Sequence, residues 1–379
     1  MYFQKGCVEK MTKHDYKQNA YYLLYLIRCV LNRKIPAKEK LDKMNLSQLY
    51  AVAKAHSLTA IAAYALESAG IIDEQFKQEK YKVIRKNFTM DIERQRVTAE
   101  LEKAGIWYMP LKGVVLQDYY PMIGMRQMCD NDILFDPSRI NDVRKIMIKL
   151  GFTAPNTHTG HDIVFHKEPV CNFEMHYSLY TESKENIFAD YYSNVKERLI
   201  RVESNGFEHR FSHEDLYIYI TAHEYKHFSK GGTGLRSLVD TYVYLNHFSG
   251  KLDMEYIRKE LSKLGIADFE QQRRKLSMDL FCGKRLNTDE KKLLDYYIFS
   301  GTYGTIENSV NNSINGSLSS RVKYLVGRLF LTLPQIKASY PFFYKHKFLI
   351  PLLFLYRIGL MLTKSRKRMM SEVKTLIRI

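Results

Sequence analysis

Apolar positions recur at helical spacing through the first 105 residues. Residues 21 to 27 are apolar almost all round, residues 46 to 69 repeat apolar side chains every three or four positions, and residues 88 to 104 are amphipathic and charged. Such stripes predict helices, because positions i, i+3 and i+4 share one helix face. The period then changes. Residues 106 to 111 and 131 to 135 are short apolar runs of strand length, 137 to 150 return to a helical pattern, and 161 to 177 read as a hairpin turning at Lys167-Glu168-Pro169. Alternation on its second arm places Asn172, Glu174 and His176 on one face. The order strand, helix, strand, helix, hairpin predicts an α+β fold, a small mixed sheet with helices on one side. Helical patterning resumes at about 181, with a polar stretch at 308 to 320 rich in Asn, Ser and Gly that reads as a loop. Four segments are expected: a helical region over 1–105, the mixed-sheet core over 106–180, a helical domain over 181–320, and a basic, apolar helical segment over 321–379.

The chemistry concentrates in LKGVVLQDYYPMIGMRQMCDNDILFD, residues 111 to 136. Lys112-Gly113 ends the first short run, and glycine there lets backbone amides approach a phosphate. Asp130 and Asp132 open the second run, and period two puts both carboxylates on one face with Asn131 on the other. Two carboxylates held together are what Mg²⁺ commonly takes from a protein, with substrate phosphates filling the rest of its shell.

Leu111-Lys112-Gly113, Tyr119-Tyr120-Pro121, Arg126 and Asp130-Asn131-Asp132 before Ile133-Leu134-Phe135 resemble a bacterial uncharacterised nucleotidyltransferase family within the DNA polymerase beta-like nucleotidyltransferase fold. The resemblance continues at Phe173-Glu174-Met175-His176-Tyr177 and at His223, Lys226, His227, Arg236 and Asp240. It implies a small mixed-sheet nucleotidyltransferase core flanked by amino- and carboxy-terminal helical regions. It also implies Mg²⁺ (or Mn²⁺) held by Asp130, Asp132 and Glu174, with Glu174 completing the metal site or acting as base. Lys112, Gly113 and Arg126 would contact the phosphates of a nucleoside triphosphate substrate, and His176 would support Glu174. The acceptor hydroxyl is not identified by the pattern. Where the larger fold has Gly-Gly or Gly-Ser, this chain has Gly113-Val114, which removes a small hydroxyl and is the feature favouring a non-catalytic interaction protein as the alternative.

A rival motif is His223-Glu224-Tyr225-Lys226-His227, the H-E-x-x-H pattern of zinc metalloproteases, on a helix expected to start at Ser212. It lacks a recognisable third ligand, so histidines packed near the cleft are the expectation.

Charge changes the picture only at one end. The chain carries +17, but residues 321 to 379 hold thirteen Lys or Arg against the single acid Glu372, leaving +5 for the first 320 residues. A nucleic-acid substrate is therefore not favoured, since its footprint would be basic on the core. The basic tail flanks the apolar residues 348 to 362, short of the roughly twenty needed to span a bilayer. Either an interfacial helix on an anionic membrane surface or a buried carboxy-terminal helix fits. The polar, charged residues 1 to 16 show no signal-peptide pattern, and the five scattered cysteines show no C-x-x-C. The expectation is a cytoplasmic protein with reduced thiols, peripheral at the inner membrane face if the tail is interfacial.

Overall fold

The computed structural model describes residues 11–154, 160–181, 186–203, 206–302, 304–313, 326–327, 330–363 and a few isolated positions beyond. It separates into two compact units, Met1–His223 with Leu235–Ile298, and Glu224–Gly234 with Phe299–Ile379.

The first unit opens with helices. α1 (Lys13–Leu31) starts where the Thr12 side chain accepts the Asp15 N–H, and it buries Ala20, Leu23, Leu24, Leu26 and Ile27. The apolar pattern over 46 to 69 forms two helices, α2 (Leu46–Ala55) and α3 (Thr59–Ser68), because Ser57 turns at a φ of 56° between them. α4 (Glu74–Lys103) is longer than the pattern from residue 88 suggests. Asp73 caps it through the Phe76 N–H, and Phe76, Lys80, Val83, Asn87, Met90, Val97 and Leu101 form its buried stripe. Lys80 sits in that stripe because it pairs with Glu67, so a charged residue occupies a core position and breaks the apolar repeat.

The sheet follows. β1 (Tyr108–Pro110), β2 (Asn131–Phe135), β3 (Asp162–Lys167) and β4 (Cys171–His176) lie in the order β1-β2-β4-β3. β2 runs antiparallel to β1 and parallel to β4, while β3 and β4 form the hairpin. Between β1 and β2 lies α5 (Gly113–Leu116), and between β2 and β3 lies α6 (Ile140–Lys149). The sheet is mixed, as the alternation of patterns predicts. Ile133, Phe135, Phe173, Met175, Ile163 and Phe165 face a core completed by Met90, Val97 and Leu101 of α4 and Val143 and Met147 of α6. Asn131 points the same way, 0 % exposed, with its side chain bonded to Arg94 and the Met90 carbonyl of α4. The opposite face is left for Asp132, Glu174 and His176.

After β4 come α7 (Ile187–Tyr191), a short hairpin of β5 (Ile200–Arg201) and β6 (His209–Arg210), α8 (His213–Phe228), α9 (Arg236–His247), α10 (Met254–Lys263), α11 (Ala267–Cys282) and α12 (Thr288–Ser300). The Ser212 hydroxyl accepts the Asp215 N–H at the start of α8.

In the second unit, residues 306–313 are helical, where the polar composition predicts loop, and 314–320 lie outside the described residues. Its apolar run forms a helix, Ile350–Thr363, with Leu352, Leu355, Tyr356 and Ile358 exposed. The basic run 364–368 lies outside the described residues. No described helix is long and apolar enough to cross a membrane. Cys29, Cys129, Cys171 and Cys282 are free thiols, and Cys7 lies outside the described residues.

Candidate active site

Parallel pairing of β2 with β4 sets the site. Register places Asp132 opposite Glu174 and Leu134 opposite His176, so side chains 42 residues apart in the chain meet on one face. One ligand atom each from Asp132, Glu174 and His176 lies within 4.8 Å of the others. His176 Nε2 is 3.0 Å from Asp132 Oδ1 and 3.8 Å from Glu174 Oε2. Lys112 Nζ donates to the same Asp132 Oδ1 at 3.3 Å.

Electrostatics follow from this crowding. Burial by itself would raise the Asp132 carboxyl, but Lys112, the His176 bond and charge, and His223 outweigh it and hold Asp132 well below the usual carboxylate range. Glu174 goes the other way. Burial, then the charges of Asp132 and Asp130, push it up to about 8. Asp130 is raised as well, by burial and Asp132, against the pull of Lys112, Arg236 and Arg126. Three carboxylates close together in a half-buried face lack enough positive charge. Tyr219 of α8 is buried within reach of the charges of Asp132 and Glu174, and burial first, then these charges, keep its phenol neutral.

The residues around the cluster are positioned by longer-range contacts. Lys112 sits at φ 34° and ψ −99°, outside the regions a side-chain-bearing residue favours, at a cost of order 1–3 kcal/mol. The turn is fixed on one side by the Leu111 N–H bonded to the Asp132 carbonyl. At Gly113 a Cβ would lie 2.8 Å from Arg126 Nη1 and 3.1 Å from the Met128 methyl, so glycine is required there by side-chain packing.

Arg126 is placed differently from its expected phosphate contact. It is 8 % exposed, its Nε and Nη2 donate to Asp240 of α9 at 2.9 and 3.0 Å, and Nη1 faces Met128 Sδ at 3.3 Å. Tyr120 donates to the same Asp240 at 2.6 Å. The guanidinium fork is filled by a carboxylate, which makes Arg126 the pin that ties the 117–130 loop to α9. Asp130 lies just before β2 and is coupled to Asp132 by charge, but the close group of donor atoms contains His176 in its place. The pattern of residues gave His176 only a supporting position, because a strand-to-strand register is needed to see its Nε2 reach Asp132. Nothing in the 111–177 pattern points to Tyr219 or His223, which interact electrostatically with Asp132. Their spacing of four on one helix is the signal that puts them on a common face.

The H-E-x-x-H segment lies on α8 as expected for a helix. Among the described residues, the group able to hold a metal is Asp132, Glu174 and His176, and neither His223 nor His227 belongs to it.

A family model described as an uncharacterised nucleotidyltransferase matches residues 42–281. The chain belongs to this family. No curated protein and no solved structure matches it. The match spans α2 to α11 and includes every residue of the acidic face, so the α+β core is that of a nucleotidyltransferase and the protein is a transferase enzyme. Nucleotidyl transfer needs charge stabilisation on phosphate oxygens and a proton acceptor near the attacking hydroxyl. The nucleotidyltransferase face offers both: an ammonium at Lys112, and carboxylates at Asp130, Asp132 and Glu174.

Proposed function

We propose that this nucleotidyltransferase moves a nucleoside monophosphate from a nucleoside triphosphate to an acceptor hydroxyl, with a divalent cation, Mg²⁺ or Mn²⁺, held by Asp132, Glu174 and His176. The observation that carries this reading is the meeting of those three donors within 4.8 Å on one face of a family-typical core. The donor set fits a divalent cation. It supplies two carboxylates and an imidazole within reach of one another, and burial together with the neighbouring carboxylates pushes Glu174 up to about 8. A bound cation supplies charge neutralisation on the α-phosphate and the departing pyrophosphate.

The chain's own groups do the rest. Lys112 neutralises a phosphate oxygen beside Asp132, and Arg236, which holds the Gln127 carbonyl at 3.1 Å, adds positive potential at Asp130. The acceptor oxygen forms a bond to the α-phosphorus while the bond from that phosphorus to the bridging oxygen breaks. The bonding pair leaves with pyrophosphate, and the hydroxyl proton passes to Glu174 or Asp130. Arg126 holds the loop through Asp240 and has no role on phosphate in this scheme.

Asp132→Asn tests the reading, because the amide keeps the shape and removes the charge. Calorimetry should show Mn²⁺-nucleotide affinity falling at least tenfold with the fold retained by circular dichroism. Unchanged affinity would overturn it.

The exposed apolar side chains on the helix Ile350–Thr363, together with the net +12 over residues 321 to 379, support a peripheral contact of this segment with an anionic membrane surface.

A further inference from the structure

A cavity of about 980 Å³ opens beside the acidic face and takes no part in the scheme above. Leu134, one of its lining residues, lies two residues beyond Asp132 on the same strand face, about 7 Å along. Tyr180, which follows β4, stacks on Tyr192 at 5.6 Å to form an aromatic wall of the cavity, backed by Phe188 at 5.3 Å from Tyr180. Tyr192 packs edge-on against Tyr219 at 5.9 Å, and the Tyr219 phenol feels the charges of Asp132 and Glu174. The wall and Leu134 therefore border the same sheet face as Asp132. Tyr192, which lines the cavity, is 5 % exposed, and its hydroxyl is buried with no hydrogen-bond partner in the protein.

Two further observations narrow what this cavity takes. The first is direction. Lys112 and Arg236 lie toward the start of β2, where Leu111 bonds the Asp132 carbonyl and Arg236 bonds Gln127, whereas the cavity lies beyond the other end of the strand. In-line displacement puts the attacking oxygen opposite the leaving pyrophosphate. With pyrophosphate on the cationic side, the acceptor enters from the cavity side. The second is charge. Among the described residues, the charged lining is Asp136, Asp190, Glu197 and one cation, Lys196, whose ammonium is 5.3 Å from the centre of the Trp107 ring. That described lining is net acidic.

We propose that this cavity seats the acceptor, and that the acceptor is a small hydroxyl-bearing molecule that is cationic or uncharged, with no phosphate of its own. This rests on the nucleotidyl-transfer reading. An acidic, aromatic cavity repels a phosphorylated sugar or the backbone of a nucleic acid, while its ring faces suit an apolar ring face and its carboxylates an ammonium.

The test uses the full chain with Mn²⁺ and a non-hydrolysable nucleoside triphosphate, and one sugar skeleton in three charge states: glucosamine, glucose and glucose 6-phosphate, with a short oligoribonucleotide as a fourth probe. Saturation-transfer NMR should rank glucosamine above glucose by at least fivefold, and glucose above the other two. Asp190→Asn with Glu197→Gln should abolish the glucosamine preference and leave nucleotide affinity unchanged. Equal or tighter binding of either phosphate-bearing probe, no binding of any sugar, or loss of nucleotide affinity in the double variant would overturn the assignment. The failure of the underlying reading is distinct, since it shows as no nucleotide binding by the unmodified protein.

Discussion

Replacing Asp240 with Leu should cost the protein about 3–5 kcal/mol, although Asp240 has no role on phosphate in the proposed scheme, because it strands Arg126 as an unpaired cation in the interior. The structure sets this magnitude. Both side chains are about nine-tenths buried, the pair is bidentate, and Arg126 Nη1 has only a thioether beside it. Arg126→Met should cost a similar amount by leaving the carboxylate with Tyr120 alone. Removing both charges together removes both desolvation penalties, so the double variant should lose only about 1–2 kcal/mol, chiefly for the Tyr120 hydroxyl left without its acceptor. Urea unfolding followed by the fluorescence of Trp107, the only tryptophan, measures all three variants. Nucleotide affinity in the double variant should stay within about threefold of the original protein. If Arg126→Met instead unfolds like the unmodified protein and loses nucleotide binding, Arg126 is a phosphate ligand and the pairing argument fails.

Two other outcomes are expected. His56 is fully buried, with Nδ1 accepting the Leu235 N–H, and burial lowers its pKa from 6.5 to about 4. The unfolded chain thus binds more protons between those values, and stability present above pH 6.5 is lost as pH falls toward 4. The loss between pH 7.5 and 4.5 should be about 2.5 kcal/mol larger than in His56→Gln, and equal slopes for the two proteins in urea titrations would refute it. For the carboxy-terminal segment, the full chain should sediment with vesicles containing anionic lipid, not with neutral ones, and salt should release it. A protein that stays in the supernatant with anionic vesicles at low ionic strength would remove the membrane reading.

The sequence by itself carried the fold class and the sidedness of the site. Period-two alternation is local, so Asn131 and Asp132 facing opposite ways, and Glu174 and His176 sharing a face, follow from spacing, as does the switch from helices to strands near residue 106. What spacing does not contain is which strand lies beside which, or at what register. The pairing of Asp132 with Glu174 and the approach of His176 Nε2 to Asp132 were decided by β2–β4 parallel pairing, since a shift of one residue would turn every side chain to the other face. The same holds for Arg126. Its neighbours in sequence suggest a phosphate contact, but its partner Asp240 is 114 residues away, and only the packing of α9 against the 117–130 loop brings them together. Lys80 shows the converse case, a charged residue in a core stripe whose burial depends on Glu67 in another helix, which hid the first half of α4 from its apolar pattern. Local period fixes which way a side chain points, and tertiary pairing fixes what it meets.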